Sequence, residues 1–262
     1  MKSYKQFLSG GEFKWSLGVR GADAERFFAP REDSGKLLEE KRKWLEENPE
    51  LYLAITDESE PLIHAVWKQA LAWGHVEEPK SGRSLRKLAE NWEADLLLVD
   101  QETLKMVAGA VCFPSSWDLR SAIGKPVFGV HEVVPRLNEQ IGTQVDRFLK
   151  AIQGGKSYAR MNWSLTRTNE LNYHPELNRK KLDETVTLEE LFLRIEHQLF
   201  CEVEGGILLG LRIEPVQLLD LAEDADVWRG LQEKIRTMPE DVAKYKGMFS
   251  SKDVIVEAMD GV

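Results

Sequence analysis

An α+β fold built on an antiparallel sheet is what this sequence predicts, and two observations carry the prediction. Five short apolar runs, residues 95–99, 107–113, 127–134, 160–165 and 207–213, are bounded by Gly, Pro, Asn or Asp, as strands too short to be buried helices are. Segments of helical period lie before, between and after these runs without alternating strictly with them. Strands then pair with their neighbours in sequence, and the helices cover one side of the sheet.

The chain opens at 13–19 on Phe-Lys-Trp-Ser-Leu-Gly-Val, a short strand or extended arm, followed by polar, turn-rich sequence to Gly35. Leu37, Leu38, Lys41, Trp44 and Leu45 share one helical face over 36–47, with charges opposite. A helix over 59–74 has Ser59 as N-cap, Pro61 in its first turn, a stripe of Leu62, Val66, Trp67, Ala70 and Leu71, and Gly74 as its exit. A third helix spans 85–92. After three strands, Leu137, Ile141, Val145, Phe148, Leu149 and Ile152 mark a helix over 136–152. Thr187 and Glu190 form a capping box that opens a helix over 188–200, and a final helical region covers 215–245.

At 262 residues and 42% hydrophobic content the chain can bury a substantial core, and it reads as one domain, 1–262. The net charge is −9, with Lys and Arg interleaved among Asp and Glu, which disfavours nucleic acid and anionic membrane as partners. The opening Met1-Lys2-Ser3-Tyr4-Lys5 leads into no apolar leader, and no uncharged run approaches the ~20 residues of a membrane span. A cytoplasmic location is expected. Cys112 and Cys201 make one disulfide at most and cannot complete a four-Cys zinc or iron–sulfur site, and there is no C-x-x-C-H. Gly109, Gly124 and Gly129 do not form a G-x-G-x-x-G, and G-x-S-x-G, H-E-x-x-H and a Walker loop are absent too.

The most distinctive stretch runs from Ala108 through Phe113-Pro-Ser-Ser-Trp117 and Gly124-Lys-Pro126 to Val130-His131-Glu-Val-Val-Pro135, followed by Arg160-Met-Asn-Trp-Ser-Leu165. It resembles the α-subunit family of heme-dependent oxidative N-demethylases. Leu17-Gly-Val-Arg20, Arg194-Ile-Glu-His-Gln198 and Ala243-Lys-Tyr-Lys-Gly247 are similar to that family's opening, late helix and closing segment, so the resemblance covers about residues 10–250. It implies a PAS-like antiparallel sheet holding non-covalent heme b, with 1–92 a mostly helical N-terminal extension and 93–250 the sheet and heme pocket. It further implies oxidation of a small amine with O₂ to an imine that hydrolyses, the electrons coming from a separate flavin and iron–sulfur reductase. The alternative on the same scaffold is a heme-based gas or redox sensor, or a binding module without catalysis. One departure stands out. The family's late helix reads Arg-x-Glu-Arg-Gln-Thr, whereas this chain has His197 and Leu199 in place of the second Arg and the Thr, and the stretch after it lacks the family's Leu-Pro turn.

A heme iron needs a strong proximal donor. His131, read as mid-strand between Val130 and Val133, is either that ligand or a hydrogen-bonded core histidine. His197 is the runner-up and a candidate catalytic residue. Cys112 is either a thiolate ligand or a small core residue with a raised pKa. His174, in a polar loop, and His64 read as surface residues, and His75 as a complement to a helix C-terminus. Alternation places Arg160 and Asn162 on one face of their strand, either a solvent face or a site for a heme propionate, with Met161 and Trp163 on the other. Arg194 and Glu196 are either a surface pair or, by the resemblance, catalytic residues, Glu196 receiving the ammonium of the amine. Trp117 and Trp163 would line a flat cofactor or simply fill the core.

Overall fold

The computed structural model describes residues 7–31 and 34–262. The opening Met1–Lys5 stretch, and Glu32 and Asp33 of the turn-rich segment, lie outside the described residues. Seven strands form one sheet: β1 (Arg20–Ala22), β2 (Leu53–Ile55), β3 (Asp95–Asp100), β4 (Met106–Ala110), β5 (Ser157–Thr166), β6 (Phe192–Val203) and β7 (Gly206–Gln217). Their order is β1-β5-β6-β7-β3-β4-β2, and every pair is antiparallel. The fold is α+β, as expected from the sequence. The N-terminal segment does more than extend it, because β1 and β2 supply both edges of the sheet.

The longer helices are α1 (Ala24–Phe28), α2 (Ser34–Glu47), α3 (Glu60–Ala72), α4 (Leu85–Asn91), α5 (Thr143–Lys150), α6 (Ala225–Arg236), α7 (Glu240–Tyr245) and α8 (Lys252–Asp260). They cover both faces of the sheet rather than one. Leu96, Leu98, Leu199 and Leu208 pack with α1, α3 and α4, while Trp163, Leu165, Leu193, Ile195 and Val216 pack with α6 to α8 on the same side. On the other side Val99, Phe200 and Ile207 meet Val145 and Leu149 of α5. Each such buried aliphatic side chain contributes about 1.5–3 kcal/mol.

Two expected elements differ. The helix over 188–200 is a strand: the capping box is formed, but it caps only the single turn Leu188–Glu190, and the chain then enters β6. Leu193, Ile195, Leu199, Cys201 and Val203 alternate with Arg194, Glu196, Gln198 and Glu202. That period of two sets the conformation. It is locked by the β6–β7 hairpin, where Gly205 takes a left-handed φ of 82° and Val203 pairs with Gly206. β7 consequently continues through Pro215 to Gln217, and the last helical region starts later than expected and includes α8. The strand expected over 127–134 is instead the helical turns Val127–Val130 and His131–Val133. Pro126 starts them, and the bonds are local, Val130 N–H to Pro126 O at 3.0 Å and Val134 N–H to His131 O at 3.0 Å. Residues 13–19 form an extended arm with Phe13 N–H bonded to Thr237 Oγ1, and the strand begins only at Arg20.

One buried cation ties the helical layer to the sheet. Lys41 of α2 is fully buried and donates to Trp92 O at 2.8 Å and Ala94 O at 2.7 Å. It also lies 3.2 Å from the Asp95 carboxylate as an ion pair, and Asp95 in turn accepts from Phe113 N–H at 2.8 Å. Lys41→Met should lower stability by about 3–5 kcal/mol in urea denaturation, because it strands a buried carboxylate. Lys41→Met combined with Asp95→Asn should recover part of that loss.

Candidate functional site

The register of β5 on β6 builds the site. Asn162 faces Glu196, Arg160 faces Gln198 and Ser164 faces Arg194, so these six side chains share one face. Glu196 and Arg194 are buried, at 9% and 1% exposure, so the surface ion-pair reading of them is corrected. Glu196 accepts from Gln198 Nε2 at 2.5 Å and from Ser115 Oγ at 3.3 Å.

Arg194 is a clamp on two loops. Its guanidinium donates to Ser115 Oγ at 2.9 Å and to the carbonyls of Phe113 at 2.9 Å and Leu171 at 2.7 Å, and it lies over the Tyr173 ring at 5.2 Å. Burial pushes its pKa down to about 10, against the pull of Glu196, Tyr173 and Asp95. Arg194 thereby fixes the Phe-Pro-Ser-Ser-Trp loop above the sheet. The loop over 170–174 is polar yet buried. His174 is 1% exposed beside Tyr52, and its Nδ1 accepts from Glu176 N–H, so it is not a surface residue. His64, in contrast, is exposed.

His131 sits at the end of the first of two helical turns, half-buried, with its Nδ1 out of reach of water and of any hydrogen-bond partner. Desolvation, helped by the Arg160 charge, lowers its pKa to about 4, so the imidazole is neutral at physiological pH. Arg160 carries a buried Nε without a partner, and burial lowers its pKa against the pull of Glu196. A neutral imidazole with an unpartnered nitrogen and a desolvated guanidinium fit an iron ligand and a propionate partner. Trp117 is partly buried against the cluster of Leu97, Met106, Val111, Leu119 and Leu211, which Val130, the neighbour of His131, also contacts.

Other candidates fall elsewhere. His197 points to the opposite face, where its Nε2 is 2.8 Å from Glu214, so β6 separates it from Glu196 and Arg194 rather than gathering all three as a helix would. Trp163 is on that face too, in the core with α6 to α8. Cys112 and Cys201 are free and buried, with thiols pushed up by desolvation, Cys201 to about 12, and Cys112 packs in the core with Leu96 and Leu98, which fits its reading as a small core residue. Two open surface clefts, one along Ser9–Gly11 and α6 and one at the β1–β5 turn, contain none of these side chains. The structure adds Ser115, whose signal in the sequence was only its place inside the Phe-Pro-Ser-Ser-Trp motif.

Fold and site together define an α+β protein that presents a neutral imidazole, the desolvated guanidinium groups of Arg160 and Arg194 and one buried carboxylate around a single sheet face. The chain belongs to the family described as haem-dependent oxidative N-demethylase, alpha subunit-like, which matches residues 43–256. That description carries heme dependence and membership of a multi-subunit assembly. Among the described residues no helix is long and apolar enough to cross a membrane.

The lowered pKa of His131 gives a stability signature in the apoprotein. The unfolded chain takes up the proton near pH 6.5 and the folded chain only near 4, so stability is lost as pH falls through that window. Urea denaturation at pH 7 and pH 4.5 should show wild type losing up to about 3 kcal/mol more than His131→Gln. Equal losses in the two proteins would contradict the burial of a neutral His131.

Proposed function

We propose that this protein is an oxidoreductase that binds heme b non-covalently on the Arg160–Glu196 face and oxidatively demethylates a small amine with O₂. The observation that carries the reading is the buried, unpartnered Nδ1 of His131, whose ring feels the charge of Arg160, a side chain that itself has a buried Nε without a partner. The inner strand order, 2-1-5-4-3 when β3 to β7 are counted from one to five, supports a PAS-like sheet. When bound, the heme supplies the one-electron chemistry by which O₂ is activated.

His131 would hold the iron. Its low pKa matters here because a protonated imidazole cannot ligate. Arg160 would pair with a propionate, and Asn162, two residues along the same face, would offer an amide to the cofactor edge. Trp117 would form an apolar wall. Glu196 is the chain's only buried carboxylate on the shared face of β5 and β6 among the described residues, and it would receive the substrate ammonium and orient it. Arg194 touches backbone carbonyls rather than open space, so its part is to position Ser115 and the loop that closes the site from water. His197 and Trp163, on the other face, take no direct part. With two cysteines the chain cannot hold a four-Cys iron–sulfur cluster of its own, and the electrons would come from a separate flavin and iron–sulfur component. With both sheet edges drawn from the first 92 residues, the full chain 1–262 serves this one site.

Protein reconstituted with hemin should show a Soret band, and His131→Ala should lose most of its heme affinity. Added imidazole should restore the spectrum by refilling the cavity left by the side chain. Full heme content with an unchanged spectrum in His131→Ala would remove His131 as the ligand. A folded wild type with no Soret band would remove the heme reading altogether.

A further inference from the structure

Neutral groups alone hold the buried carboxylate of Glu196. Gln198 Nε2 donates to its Oε1 and Ser115 Oγ to its Oε2, and among the described residues the carboxylate makes no other hydrogen bond and no ion pair. A buried carboxylate in this state is open to a cation from outside, provided that no resident cation closes on it first. Arg194 stands two residues away on the same face of β6, yet its guanidinium is turned to other acceptors. Its terminal nitrogens donate to the carbonyls of Phe113, Pro114, Glu170 and Leu171 at 2.7 to 3.2 Å, and its Nε–H meets Ser115 Oγ at 2.9 Å. A serine hydroxyl has one proton and two lone pairs. With a lone pair taken by Arg194, the Ser115 proton is directed to Glu196, and Arg194 reaches that carboxylate only through this hydroxyl.

The backbone of the loop holds Ser115 in that place independently of the Arg194 side chain. Tyr173 N–H donates to Pro114 O at 3.1 Å, and Ser115 lies beside Tyr173 in a parallel bridge. Ser116 then takes a left-handed φ of 63°, uncommon for a residue with a side chain. The chain turns there, so that Trp117 packs against the cluster of Leu97, Val111 and Leu119 while Ser115 keeps its contact with β6.

We propose that Ser115 is a positioning residue for Glu196: its hydroxyl aims the carboxylate and separates it from Arg194, so that Glu196 stays open to a cation carried by the ligand. The proposal rests on the reading of Glu196 as the ammonium acceptor. Without the hydroxyl, Glu196 loses one of its two donors and Arg194 Nε–H loses its acceptor. The freed Nε–H then turns to the carboxylate, because a charge-assisted bond replaces the one removed. An incoming ammonium has to compete with that resident guanidinium.

The test is calorimetric titration of dimethylamine hydrochloride into heme-loaded protein at neutral pH, with infrared difference spectra of the same samples. Ser115→Ala should weaken binding about tenfold, the loss expected for one hydrogen bond to a charged group, with an unchanged Soret band and circular dichroism. Ser115→Thr, which keeps the hydroxyl, should bind within about twofold of wild type, and Ser115→Cys, similar in shape but a weak donor, should fall with the alanine variant. The carboxylate band that amine binding shifts in wild type, identified by its absence in Glu196→Gln, should already be displaced in Ser115→Ala without ligand and back in place in Ser115→Thr. Wild-type affinity and an unmoved band in Ser115→Ala overturn the proposal while leaving the amine reading intact. If the alanine variant does not fold, the other two decide, and equal affinity of Ser115→Thr and Ser115→Cys overturns it. If wild type binds dimethylamine no better than Glu196→Gln does, the reading of Glu196 fails and the proposal with it.

Discussion

The register of β5 against β6 decides which side chains of this protein can act together. With Asn162 opposite Glu196, the even-numbered residues of both strands look toward the Phe113–Trp117 loop and the His131 turns, and the odd-numbered ones look into the helical cores. A slip of one residue would bury Arg160 and Glu196 among leucines and turn Trp163 and Ile195 toward the loop. The β6–β7 hairpin fixes which face each residue of β6 takes, since its two-residue connection at Glu204 and Gly205 leaves no slack over twelve paired positions. The Arg194 clamp holds it from above, because its donors meet the loop carbonyls only when this residue lies on the loop side.

A buried carboxylate needs hydrogen-bond donors, and Glu196 accepts from Gln198 and Ser115 and lies within the electrostatic reach of Arg160 and Arg194. The same burial acts in one sense on the basic groups around it. It lowers the basicity of Arg160 and Arg194, and it leaves His131 uncharged a short way off. One face of the sheet thus holds a neutral imidazole and a buried carboxylate.

Much of this was legible in the sequence. The strands at 95–99, 107–113, 160–165 and 207–213, the helices around Lys41, Trp67 and Val145, and the Arg160/Asn162 alternation are all present close to where period and punctuation place them. The segment around Arg194 was misread because a true capping box at Thr187 and Glu190 invites a helix, while the alternation of Leu193, Ile195 and Leu199 with Arg194, Glu196 and Gln198 argues for a strand; tertiary pairing with β7 settles it. That single change of period moved His197 to the far face. His131 was misread for another reason: eight residues between Pro126 and Pro135 look like a strand by composition, but Phe128 and Val133 are exposed and the backbone bonds close locally.

The account stands on one face of one sheet being the cofactor face, and a crystal structure of the heme-loaded protein tests this most directly. It should show the iron bound to His131 and a propionate at Arg160, with Glu196 on the same side of β6. Iron bound at His197, or a macrocycle on the His197–Glu214 face, would contradict it.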